Sequence, residues 1–428
     1  MSRALALLAA EGLVVSRPGA GTFVAEPPIR RTRIDSSWQT VALSDRIVDT
    51  EGLGGLNDPP HDEQHLSLAT GYLHSSLMPT RALSAALTRA SRLPDAWERP
   101  PTSGIHGLRS WFATAVSSDI EPRDVIITTG GQSAISAIVR ALIPAGGPLL
   151  IESPTYPGAL AVARAARIRP IPVPTDEGGV IPELLADAFE RTGAQAFYSQ
   201  PTYQNPTGSV LARERRGDVL AAAAAAGAFV IEDDYARWLG HGSKAPPPLL
   251  ADDREGRVVY LTSLTKVASP SLRIGAMISR GPVTQRLQSL RIVDDMFVPR
   301  PTQEAALDLV SRPVWERHLH DLSVALRSRS RALARAIDRH IPDAEYALPP
   351  GGMHLWTRLP DGIDDVKATL AARRAGVAVN AGRPFFPAEA AAPHVRITFS
   401  AVPSEADLET GVRRLARAIA GLERDSGD

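Results

Sequence analysis

The chain has no cysteine among its 428 residues, which excludes a disulfide framework and thiolate chemistry. It has no net charge either. Its 47 Lys plus Arg balance 47 Asp plus Glu, so nothing draws it in general toward nucleic acid or an acidic membrane. No run of about 18 apolar residues occurs, and no membrane-spanning helix is expected. The opening MSRALALLAAEGLVV is interrupted by an acid and lacks a separate basic region and cleavage site, so it does not read as a signal peptide. These absences together predict a cytoplasmic protein. Lysine is nearly missing: only Lys244, Lys266 and Lys367 stand among the cationic residues. Where arginine serves for charge almost everywhere, a retained lysine asks for a chemical reason.

What is present is a chain 44% hydrophobic, long enough for one large or two ordinary domains. Residues 2–11 read as the end of an apolar helix (Leu5, Leu8) stopped by Gly12. LVVS and TFVA follow as two short strands joined by RPGAG, a hairpin. From Glu26 to about Glu63 the chain is polar and proline-containing, and reads as a linker or an arm laid over another surface. From about Ser67 to Val310 short apolar strands (DVIITTG, PLLIES, AQAFYSQP, AFVIEDD, RVVYLTSL) alternate with helical stretches. That alternation predicts an α/β fold with a mostly parallel sheet covered by helices. The remainder mixes helical patterns with strand-like HLWTRL and HVRITFS, which predicts a smaller α+β domain. Its last helix opens on Ser404 with Asp407 three residues on, a capping-box pattern.

In open α/β sheets ligands bind at the carboxyl ends of the strands. After DVIITT comes Gly130-Gly131-Gln132, opening a helix. Glycine permits close backbone approach, and a helix start offers free N–H groups to an anion. The same residues also fit a plain strand-to-helix turn. They make neither GxGxxG nor a Walker loop, which argues against dinucleotides and nucleoside triphosphates. Tyr156 follows PLLIESP, placed to stack on a flat ring or simply to pack. Asn205, before Pro206, offers an amide. Glu232-Asp233-Asp234-Tyr235 follows AFVI; three acids suggest a metal site, but no neighbouring histidine completes soft ligation, and an oxygen-only site stays open. Ser263, Thr265 and Lys266 follow VVYL, with Arg273 seven residues on. An anion cradle, a flat aromatic, an amide, a carboxylate, a hydroxyl pair, a lysine and an arginine suit a flat, phosphorylated, aldehyde-bearing heterocycle.

Five motifs in order, TTGGQ, SPTYPG, QNPTG, EDDY and SLTK followed by RIG, resemble the fold type I pyridoxal-phosphate proteins of the aminotransferase class over roughly residues 65–425. The resemblance implies pyridoxal 5'-phosphate as cofactor, an amino acid and a 2-oxo acid as substrates, and a homodimer. Lys266, a primary amine, would form a Schiff base with the cofactor aldehyde, which a guanidinium cannot, and would then shuttle the substrate proton. Asp233 would sit at the pyridine nitrogen. Arg273, Ser263, Thr265 and the Gly131 and Gln132 amides would hold the phosphate, Asn205 and Tyr235 the ring oxygen, and Tyr156 the ring face. Arg396, in HVRITFS, matches the arginine that binds the substrate carboxylate. The apolar alternation of Val395, Ile397 and Phe399 puts Arg396 on the opposite strand face. Gly351-Gly352-Met353 and Gly382-Arg383-Pro384-Phe385 resemble, more loosely, loops that close over the substrate. One departure is that no tyrosine precedes GIHGLR, Gly104 to Arg109, where many relatives carry one that reaches the neighbouring subunit's site.

The fragment RALALLAAEGLVVSRPGAGTFVA resembles the end of a GntR-type winged helix, and a GntR head on such a body is the MocR-type regulator architecture. The resemblances together imply four segments: a winged-helix remnant to residue 25, a linker over 26–64, a large cofactor-binding domain over 65–310 and a small domain over 311–428. The helix start that would touch base edges is missing, so DNA binding is expected only if an upstream winged helix is restored.

Overall fold

The computed structural model describes residues 2–10, 13–17, 19–25, 34–43, 50, 52–53 and 65–425, so Gly12 and most of the expected linker lie outside the described residues. The chain divides into two compact units, residues 1–47 and 48–428. In the first, a helix spans Ser2–Ala10, Val14–Arg17 pairs antiparallel with Gly21–Val24, and a short helix follows over Ser37–Ala42. Gly19 and Gly21 take φ of 79° and 104°, left-handed values that let the hairpin turn within so few residues. Val15 and Phe23 are exposed.

The second unit is built on an eight-stranded sheet. Its spatial order is Val125–Thr128, Gly275–Ile278, Val258–Ser263, Phe229–Asp234, Ala196–Ser199, Pro148–Ser153, Arg169–Asp176 and Gly179–Val180. The expected parallel sheet is there, with two strands against its direction: Gly275–Ile278, wedged between Val125–Thr128 and Val258–Ser263, and the short edge strand Gly179–Val180. Periodicity cannot reveal strand direction, since side chains alternate identically in parallel and antiparallel strands. Arg169–Asp176 carries prolines at 170, 172 and 174. Residues two apart in a strand turn their backbone nitrogens to the same side. With Pro148–Ser153 paired along its other side, the missing donors fall on the open edge, where proline is tolerated.

Both sheet faces are buried. Ile151, Tyr198, Ile231 and Leu261 pack in one cluster with the helices Gly131–Leu142 and Pro157–Ala165. Leu150, Phe197, Val230 and Tyr260 belong to the other. Successive residues of one strand thus serve different faces.

Beyond a 28-residue helix, Pro313–His340, comes a four-stranded sheet ordered Glu345–Tyr346, His354–Arg358, His394–Thr398, Asn380–Ala381. The closing helix Glu405–Asp425 has the expected cap: Ser404 N–H donates to Asp407 at 3.1 Å and Asp407 N–H donates back to the Ser404 hydroxyl at 3.3 Å. Leu66–Ser67 pairs parallel with Val377–Ala378, and Thr398 N–H donates to the Leu68 carbonyl. This pairing lays residues 66–72 beside the smaller sheet and so delivers Gly71 and Tyr72 to the cavity described next.

Candidate active site

Loops at the carboxyl ends of the parallel strands, closed by the smaller sheet, enclose a cleft with a free volume, open solvent included, of about 920 Å³. All eleven residues expected at a site line this one cavity, although they come from six separate segments.

At its base, Gly130 caps the Gly131–Leu142 helix with φ 89°. A Cβ there would stand 3.0 Å from the Arg273 guanidinium carbon. Only glycine therefore lets the guanidinium lie over the helix start, where Arg273 Nη2 donates to the Thr129 carbonyl at 2.6 Å. Arg273 itself takes φ 52°, a left-handed value costing a non-glycine residue about 1 kcal/mol. Cation and free helix N–H groups thus face the same point. Ser263 Oγ donates to the Ile274 carbonyl and accepts from Thr265 N–H at 3.1 Å, while Thr265 Oγ1 is buried without a partner. Nearby, Tyr156 OH donates to Gln132 Oε1 at 3.0 Å, and Gln132 Nε2 donates to the Gly158 carbonyl at 2.9 Å.

The three acids at the end of Phe229–Asp234 do not converge, because a strand alternates its side chains. Asp233 turns into the cavity. Its Oδ2 accepts from Tyr198 OH at 2.5 Å and Gln200 Nε2 at 2.9 Å, while Oδ1 is buried and unpaired. Burial raises its carboxyl to about 6, against the lowering effect of those two donors. Glu232 and Asp234 turn to the other face. Glu232 accepts from the backbone N–H groups of Leu249 and Leu250, and Asp234 pairs with Arg237 at 2.9 Å.

Lys266 Nζ donates to the Gly71 carbonyl at 2.8 Å and lies 4.0 Å from the centre of the Tyr72 ring. Burial, followed by the positive charge of Arg396, pushes this amine down to about 7. Near neutrality it is therefore half deprotonated, unlike an ordinary lysine.

Arg396 is on the predicted face of its strand, 6% exposed. Nη1 donates to Asn205 Oδ1 at 3.0 Å; Nη2 donates to the Ala69 carbonyl and Asn380 Oδ1; Nε is buried and unpaired. The guanidinium carbon lies 5.0 Å from the centre of the Phe385 ring, so part of the loosely matched 382–385 stretch does reach the site. Asn205 N–H donates to Gln200 Oε1 at 3.1 Å, which ties the Arg396 and Asp233 ends of the cavity through one glutamine. Tyr235 OH donates to the Tyr203 carbonyl at 2.9 Å. Gly351 and Gly352 pack on the Tyr203 side chain, behind this wall.

Sequence reasoning missed Tyr198, Gln200, Tyr72, Asn380 and His354. Tyr198 and Gln200 carried a usable signal: they are two apart on a strand that runs parallel beside Phe229–Asp234, with Tyr198 opposite Ile231, so both share the face of Asp233. Tyr72, Asn380 and His354 stand in no motif and arrive only through the pairing of distant segments.

The comparisons with known proteins agree with this arrangement. The chain is 31% identical over 363 residues to the 2-aminoadipate transaminase of Thermus thermophilus, covering 83% of this chain and 90% of that one. It is 27% identical to the uncharacterized HTH-type transcriptional regulator YisV of Bacillus subtilis, covering 97% and 87%. Among solved structures it is similar to LysN, an alpha-aminoadipate aminotransferase from Thermus thermophilus complexed with N-(5'-phosphopyridoxyl)-L-leucine, with a TM-score of 0.83, 29% identity, and 90% and 99% of the two chains covered. The profile of one family covers residues 67–415, and with that the chain belongs to the aminotransferase class I and II family.

Proposed function

We propose that the chain is a pyridoxal-phosphate-dependent aminotransferase that moves an amino group between an amino acid and a 2-oxo acid. The observation that carries this is a half-deprotonated lysine and an unpaired buried carboxylate oxygen lining one cavity. A buried acceptor without a donor costs about 1–3 kcal/mol and is kept where a ligand supplies the donor. The Asp233 Oδ1, Thr265 Oγ1 and Arg396 Nε atoms are three such groups around the cleft. They suit, in turn, a ring N–H, a phosphate and a carboxylate.

When bound, pyridoxal phosphate supplies an aldehyde carbon open to an amine and a ring that withdraws electrons once its nitrogen is protonated. The residues of the chain do the rest. Asp233, held by Tyr198 and Gln200, keeps a proton on the ring nitrogen by its negative charge. Arg273, Thr265, Ser263 and the N–H groups of Gly131 and Gln132 neutralise the phosphate, and Tyr156 and Tyr235 bound the ring. Lys266 uses its neutral amine first as a nucleophile and then as the base that carries the substrate proton at Nζ. Arg396 binds the substrate carboxylate and so fixes which bond faces Lys266. The proposed unit is a homodimer.

A second reading rests on a separate observation. The Ser2–Ala10 helix and the hairpin after it have the form expected for the end of a winged helix, and YisV aligns with nearly the whole chain. On that reading the same cavity senses an amine or the cofactor for a MocR-type regulator. Absorbance of the purified, cofactor-loaded chain separates the two. Bleaching of the visible band by an amino acid and its return with a 2-oxo acid supports the transaminase; a band that only shifts supports the sensor. No band at all, with pyridoxal phosphate in excess, refutes both.

A further inference from the structure

The inference drawn here rests on the roles proposed for Lys266 and Arg396. Once they and Arg273 are assigned, the charged residues around the cavity are used up: among the described residues its only acid is Asp233 and its only other titratable cation is His354. His354 stands directly across from Thr398 in the smaller sheet, and Trp356 across from Arg396. Directly paired residues of neighbouring strands share a face, so the imidazole rises beside the Arg396 guanidinium. One ring nitrogen, Nδ1, is fixed on the Thr398 hydroxyl at 2.9 Å. A Cβ at Gly71 would stand 3.5 Å from Lys266 Nζ and 3.9 Å from His354 Cε1, so the lysine and the imidazole flank the same glycine. Burial, and then the positive charges of Arg396 and Lys266, hold His354 well below the usual histidine range.

An amino acid with its carboxylate on Arg396 and its nitrogen at Lys266 meets, on the remaining wall, Tyr72, Leu53 and His354. That wall offers rings, apolar surface and an imidazole that stays uncharged near neutral pH. A second carboxylate set there would be buried without a cation, which is costly by several kcal/mol. We infer that the site selects amino acids with an uncharged side chain over those with a second carboxylate, and that His354 is the specificity-determining residue in contact with that side chain.

The test uses the cofactor-loaded chain and two acids that lack an amine and cannot turn over, 3-phenylpropionate and glutarate, with Kd measured by calorimetry. The expected result is at least roughly tenfold tighter binding of 3-phenylpropionate, a difference of about 1.4 kcal/mol. His354→Arg places a cation on the wall and is expected to reverse the order. Equal or tighter binding of glutarate by the unaltered chain overturns the inference while leaving Arg396 as the carboxylate site. Binding of neither acid, with cofactor bound, instead overturns the role of Arg396 and the inference with it. An unmoved ratio in a folded, cofactor-binding His354→Arg variant removes His354 as the determinant. Should that variant fail to fold, His354→Gln, which keeps the ring site polar and uncharged, is expected to retain the preference for 3-phenylpropionate, and loss of it counts against the proposal.

Discussion

The carboxyl end of Phe229–Asp234 presents two faces built from the same chemistry to different ends. On one, Glu232 and Asp234 are used up: Glu232 by two backbone N–H groups, Asp234 by Arg237 and the Tyr260 hydroxyl. On the other, Asp233 has two donors on a single oxygen and none on the second. All three carboxyls are buried, and burial raises each of them. What sets Asp233 apart is the open cavity in front of it and the Lys266 amine across that space. An acid whose partners belong to the protein stabilises a fold; an acid with a place kept for a further donor can serve a ligand.

The sharpest way to break this contrast is to remove the amine. Lys266→Ala should abolish covalent attachment of pyridoxal phosphate, read as the absence of added mass after borohydride reduction and denaturation. Next come the acids themselves. Asp233→Asn should lower kcat by on the order of 10²–10³-fold with the fold intact, because electrostatic stabilisation at the ring nitrogen is lost. Glu232→Gln should leave kcat within a few-fold and instead cost about 1–3 kcal/mol in denaturant unfolding, as one of two buried N–H groups loses its acceptor. If the two variants behaved alike, the division between the faces would be wrong.

Arg396→Ala should weaken binding of carboxylate-bearing donors by roughly 10–100-fold, as measured by titrating the loaded chain. The smallest effect expected is in pH dependence. The neutral amine is the nucleophile, and Lys266 is held at about 7, so the rate of pyridoxal phosphate capture should rise with pH through about 7 and level off above it. Burial is the main cause of that low value and the Arg396 charge the second, so Arg396→Ala should move the midpoint upward by a lesser amount. Stopped-flow absorbance across that range gives both values.

Much of the site was readable before folding because chemically able residues stand in short runs at strand ends. A lysine among arginines, an acid run after AFVI and a glycine pair before a helix each carry a local physical reason. His354, Tyr72 and Asn380 carry none, and each reaches the cavity through a pairing between segments hundreds of residues apart or through the smaller sheet. The antiparallel strand Gly275–Ile278 escaped for a different reason, since alternation looks the same in both directions.

Which groups could form a bond to an aldehyde, hold an anion or carry a charge is a property of the side chains, and it was present in the chain from the start. Which of three consecutive acids keeps an unpaired oxygen, and whether a lysine is neutral near pH 7, is not. Those outcomes depend on burial and on neighbours such as Tyr198, Gln200 and Arg396, and distance and dielectric between residues remote in sequence exist only once the strands have paired.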